Sequence, residues 1–172
     1  MNRWLVPGLV AGAIAVGVAW ADWPLEPLPE GARATRVVVR KSERVLELYA
    51  GNALLKSYPV SLGRTPLGPK RREGDGRTPE GAYTLDYRKS DSSFHRALHV
   101  SYPTDAERAA ARADGVPVGG LIMVHGMRNH LGWIGRAHRL VDWTDGCVAV
   151  TDAEIEEIWR VVPDGTSITI EP

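Results

Sequence analysis

The chain has 172 residues and a single cysteine, Cys147. One cysteine cannot close an internal disulfide, so cross-links within the chain play no part in its stability. An excess of charge is missing too: 21 Lys and Arg face 21 Asp and Glu, which argues against a broad nucleic-acid footprint. The apolar run Leu5 to Ala19 falls short of the roughly 20 residues a spanning helix needs, and Pro7 and several glycines weaken it further. Internal repeats and low-complexity tracts are absent. What is there is a 44% apolar composition, sufficient for one core, in a length that fits one domain.

The opening residues MNRWLVPGLVAGAIAVGVAWADW have the form of an export signal. Arg3 gives the positive start, the apolar stretch follows, and Ala19-Trp20-Ala21 offers a small-x-small cleavage site. The chain therefore divides into a signal peptide at 1–21, a proline-rich lead-in at 22–34 and a folded domain at 35–172. Export sharpens the question of the lone cysteine. Such a thiol is buried and inert, linked to a partner, or used chemically.

Patterning within the domain is mainly that of strands. TRVVVR and RVLELYA are rich in β-branched and alternating apolar residues, Gly51-Asn52 predicts a hairpin into ALLKSYPVSLG, and AYTLDYR, LIMVH, CVAV and TSITI follow as further strands. Two short helices stand out. Thr104 and Glu107 form a capping box before DAERAAARA, with Gly115 as its stop, and Thr151 with Glu154 forms another before an Ile155, Ile158, Trp159, Val162 stripe. The fold class is a β-rich α+β domain with about two helices. Residues 63–81, dense in Gly, Pro and charge, read as a long loop that is either functional or mobile.

His125 closes one predicted strand and Cys147 opens another, so each end presents one reactive side chain. A histidine within reach of a cysteine takes its proton and raises the share of nucleophilic thiolate. Amides of Gly146 and Cys147 could face a developing oxyanion, which suits acyl transfer through a thioester. The expected consequence is alkylation of Cys147 well below the pH a free thiol needs, lost in His125→Ala. A zinc site from Cys147 with His130 and His138 is the weaker alternative, because the spacings are irregular.

VHG, then DWTDGCVAVTDAEIEEIW, with the upstream GDGRTPEGAYTLD, together resemble the L,D-transpeptidase catalytic domain, also called YkuD-type. The likeness runs from about Thr35 to Ile170. It implies a mixed-sheet or sandwich β fold, Cys147 as nucleophile, His125 as its base, the Gly126 carbonyl orienting the imidazole, and Thr144 at the family's hydroxyl position beside Gly146. The implied reaction attacks the third residue of a peptidoglycan tetrapeptide stem in the periplasm, releases D-alanine and passes the acyl group to an amine, a lipoprotein lysine or water. It needs no metal and no cofactor.

Candidate substrate contacts are Arg77 and Thr78 in the long loop, Trp133 and Trp143 as groove walls, Arg139, and Asp145. Two departures from the family pattern stand out. Ala149 occupies a position where many members carry arginine or asparagine, and Asp145 replaces a frequent histidine. GCVAVTD is similar to a branch whose members include hydrolases that detach lipoprotein from the wall, so cleavage competes with cross-linking as the outcome, and a non-catalytic wall-binding module with an inert Cys147 is the second alternative.

Overall fold

Val37, Val38 and Val39 are all buried in strand β1 (Arg36–Arg40). A strand covered on both faces reads as a continuous apolar run, and β1 lies inside the sheet. It pairs antiparallel with β2 (Val45–Ala50) and parallel with β8 (Thr166–Glu171). In β2 only alternate residues, Leu46 and Leu48, are buried. Gly51, with φ of 58°, makes the turn from β2 into β3 (Ala53–Pro59). The computed structural model describes residues 26–172; the signal-peptide reading of residues 1–21 lies outside the described residues.

The eight strands form one mixed sheet in the order β3-β2-β1-β8-β4-β5-β6-β7, with β4 at Gly81–Ser92, β5 at His95–Val100, β6 at Met123–His125 and β7 at Val148–Ala149. The last strand in this order, β7, is not an open edge. The chain leaving β3 reaches β7, where Ser61 and Ala149 exchange two backbone hydrogen bonds of 3.0 and 2.8 Å, and Leu62 and Arg64 bond Thr144. The sheet curls on itself, and the β7 end is sealed by residues 61–64.

Both capping boxes form. Thr104 caps helix α1 (Asp105–Ala113) and Thr151 caps helix α2 (Asp152–Val161), each with its glutamate returning the bond to the cap. Helix α2 buries Ile155, Ile158 and Val161 in the main core. Its Glu157 carboxylate accepts bonds from Lys56, Tyr58 and the Leu28 amide. Leu28 and Ala34 are buried against this helix, so residues 28–34 of the lead-in pack on the domain.

The long loop is ordered, and two buried cations order it. Lys41, 3% exposed, donates to the carbonyls of Gly68 and Thr78 and pairs with Glu80. Asp75 accepts from Lys70 and from the amides of Arg71, Arg72 and Arg77. Burial alone would raise the Asp75 carboxyl, but these donors outweigh it and hold its pKa at about 2.

Candidate active site

Parallel pairing of β6 with β7 sets Val124 beside Val148 and His125 beside Ala149. That register carries His125 and Cys147 to the wall of one cavity of about 760 Å³. His125 is 3% exposed, and its Nδ1 meets the Gly126 carbonyl at 2.6 Å. A carbonyl accepts only, so Nδ1 carries the hydrogen and Nε2 is left with the lone pair a base requires. Phe94 packs on the imidazole at 4.6 Å between ring centroids, and Trp143 stands edge-on at 5.7 Å.

The glycine beside this histidine has a packing reason. A side chain at Gly126 would collide with Asp152 and Ile155 of α2. Asp152 also accepts the Met127 amide at 2.7 Å, so the start of α2 fixes the turn whose carbonyl orients His125.

The TDGC turn is built around one hydroxyl. Thr144, 4% exposed, accepts the Gly146 amide at 3.1 Å and donates to the Cys147 carbonyl at 2.8 Å. Gly146 has φ of 128°, and its Cα lies so close to the Arg77 carbonyl oxygen that a β-carbon would overlap it. The amide of Gly146 is thus committed inside the turn. An oxyanion site built from the Gly146 and Cys147 amides together, as the sequence suggested, is not what this turn offers.

Cys147 is half-buried, with Sγ 3.7 Å from the Leu121 carbonyl. Burial pushes its thiol pKa up; the Met123 amide and the charge of Lys70 oppose this and do not overcome it. Burial likewise lowers His125 to about 4, against the smaller upward effect of its bond to Gly126. No hydrogen bond joins sulfur and imidazole. The resting pair is therefore thiol and neutral imidazole, not the thiolate–imidazolium pair behind the expectation of early alkylation.

The other sequence candidates divide. Trp143 and Asp145 line the cavity, Asp145 paired with Arg64. Thr78 does not reach it: fully buried, it accepts the Gly63 amide. Arg77 contributes its carbonyl to the packing of Gly146, and its guanidinium lies over Gly68. Trp133 is 65% exposed beside the cavity, not on its wall. Arg139 is locked to the buried Glu154. Phe94 and His138 do line the cavity: Phe94 lay in a stretch given no assignment, and His138, raised from sequence as a zinc ligand, stands there without a metal-binding cluster around it. Among the described residues, no group of three or more His, Cys, Asp or Glu is placed to hold a metal.

The family model for the L,D-transpeptidase catalytic domain, YkuD, matches residues 34–170. This chain belongs to the L,D-transpeptidase catalytic-domain family. Its matched residues run from ahead of β1 to the penultimate residue of β8. YafK of Escherichia coli (strain K12), which carries an L,D-transpeptidase name, is 30% identical over 132 residues, 73% of this chain and 46% of that one. The chain thus spans about half the length of this relative. Among solved structures, the helical cell shape determining protein Pgp2 of Campylobacter jejuni superposes with a TM-score of 0.62 at 22% identity, covering 91% of this chain and 54% of that chain. An L,D-transpeptidase from Mycobacterium smegmatis does so with a TM-score of 0.54 at 16% identity, covering 81% and 59%. These structural likenesses establish the L,D-transpeptidase fold for the chain.

Proposed function

We propose that the protein is an exported, periplasmic enzyme that uses Cys147 for acyl transfer on peptidoglycan tetrapeptide stems. The observation that carries this reading is the shared cavity: one thiol and one imidazole, the latter fixed with its basic nitrogen free, on the wall of a space large enough for a peptide. Burial keeps both groups neutral at rest. Proton transfer from Sγ to Nε2 then accompanies attack, once a stem peptide fills the cavity and brings the pair together.

Sulfur adds to the carbonyl of the third stem residue, and the tetrahedral intermediate expels D-alanine as the His125 proton passes to the leaving amine. The acyl group remains on Sγ as a thioester. An acceptor amine, on a second stem or on a lipoprotein lysine, displaces the sulfur and completes the transfer. Cys147 forms and breaks the covalent bond to substrate and His125 moves the protons; Gly126, Thr144 and Gly146 act by placing them. No metal and no cofactor enters these steps.

Hydrolysis is the second reading, in which water takes the acyl group. It is favoured by the likeness of GCVAVTD to a branch that includes wall hydrolases; Ala149 itself is fully buried with its backbone tied to Ser61 and offers no polar group to a donor stem in either reading. Incubation with tetrapeptide-bearing muropeptides separates the outcomes. A linked dimer marks transpeptidation, and a tripeptide with free D-alanine marks hydrolysis. Unchanged muropeptides, or full activity in Cys147→Ala, would refute the enzyme reading.

A further inference from the structure

The cavity wall carries a second histidine whose hydrogen bonding is incomplete. His138 is 5% exposed. Its Nδ1 meets the Trp143 indole N–H at 3.3 Å and the Ser61 hydroxyl at 3.0 Å, and that hydroxyl also reaches the His138 carbonyl at 3.1 Å. An indole N–H can only donate, so Nδ1 must accept. Burial first, and the neighbouring Arg139 second, drive the ring's pKa down to about 4, which leaves it neutral at pH 7; Glu154 opposes this and His125 adds to it. A neutral ring with an accepting Nδ1 carries its one hydrogen on Nε2. That Nε2–H is buried and has no partner. A buried donor without an acceptor costs about 1–3 kcal/mol, a cost that marks a position where a ligand supplies the missing acceptor.

The surroundings select the kind of acceptor. Phe94, Leu121, Met123, Ile134 and Trp143 make most of the wall apolar. The charged side chains that line it, Lys89, Arg128 and Asp145, are all exposed. The cation beside the ring, Arg139, is already paired with the buried Glu154, so a carboxylate placed against His138 would lack a free countercharge, whereas an amide carbonyl is satisfied by one neutral N–H.

We propose that His138 is a substrate-binding residue whose Nε2–H donates to an uncharged peptide carbonyl of the stem peptide, seating the peptide in the cavity beside Cys147. This rests on the stem-peptide reading above. The Ser61–Trp143–His138 cluster sets the tautomer before substrate arrives. The contact therefore favours peptide segments that present a carbonyl at this depth and disfavours those that present a carboxylate.

Calorimetric titration of the disaccharide tetrapeptide into Cys147→Ala protein tests it without turnover. A His138→Phe change in that background is expected to weaken binding about 5- to 10-fold, the effect of one neutral hydrogen bond, with His138→Gln within about 3-fold of the parent. In the protein with Cys147 intact, His138→Phe should raise KM more than it lowers kcat, and the alkylation rate of Cys147 should stay unchanged. That rate also reports that each variant folds with its site intact. Nitrogen-15 shifts of the ring should show the Nε2–H tautomer in the free protein and a shift of that nitrogen on binding. Equal binding by His138→Phe, or an Nδ1–H tautomer, overturns the proposal alone. Absence of any tetrapeptide binding to the Cys147→Ala parent overturns the stem-peptide reading and this inference with it.

Discussion

Replacing Thr144 by valine keeps the side chain's volume and branching while removing its hydroxyl. Two bonds vanish: the one accepted from the Gly146 amide at 3.1 Å and the one donated to the Cys147 carbonyl at 2.8 Å. Gly146 is buried against the Arg77 carbonyl, so its amide finds no water in exchange. An orphaned buried donor costs about 1–3 kcal/mol and the lost bond to the carbonyl about 0.5–1.5 kcal/mol, giving about 2–4 kcal/mol together. For a domain of this size each kcal/mol moves Tm by about 2–4 °C, so thermal unfolding should occur about 5–15 °C lower. The muropeptide assay should register a loss as well, because the same hydroxyl sets the turn that presents Sγ. Thr144→Ser keeps the hydroxyl and should fall much less on both measures. A Thr144→Val protein melting within about 2 °C of the parent, or a serine variant as damaged as the valine one, would refute this account of the turn.

Gly146→Ala should be worse than Thr144→Val, because a β-carbon meets backbone and not a flexible side chain; urea denaturation should show a loss of about 3 kcal/mol or more. Iodoacetamide labelling of the free protein should follow a pH profile displaced above that of a simple thiol, with little change in His125→Ala; early labelling would contradict the neutral resting pair. Folding stability should fall as pH drops from about 6.5 to 4, by at most about 3 kcal/mol for each of His125 and His138: their folded pKa values lie near 4, so the unfolded chain takes up protons first. Asp75, held at about 2 when folded, adds its own loss only below about pH 4, and Asp75→Asn should remove that lower limb from urea midpoints measured against pH.

Features that depend on neighbours in sequence were the readable ones. Both helices announced themselves through Thr104–Glu107 and Thr151–Glu154, pairs three residues apart whose bonds are local. The Gly51 hairpin was legible for the same reason. Strand β5, HRALHV, was not, because its partly exposed histidines and arginine interrupt the apolar pattern and its place comes from pairing with β4 and β6. Residues Gly132–Leu140 coil into 3₁₀ turns, an element that neither the strand pattern nor the capping boxes announced. The ordered state of the long loop was equally hidden, since Lys41 acts on it from the end of β1 and its burial is a tertiary fact. In the site, Cys147, His125 and Gly126 stood out by motif. Thr78, Arg77 and Arg139 were drawn in by charge or proximity in sequence and are engaged away from the cavity, Thr78 with the Gly63 amide, Arg77 against Gly146 and Gly68, and Arg139 with Glu154, while Phe94 and His138 are brought to the cavity by the tertiary fold.

The curl of the sheet has a consequence for how the domain can be altered. Residues 61–64 close over the strand leaving Cys147, so the backbone on either side of the nucleophile, at Thr144 and Ala149, is zipped to a segment laid down about eighty residues earlier in synthesis. No neighbouring molecule can add a strand beside Ala149 while that zip is shut. A truncation that removes the leading hairpin together with residues 61–64 takes away the backbone partners of Thr144 and Ala149, even though no residue it deletes lines the cavity.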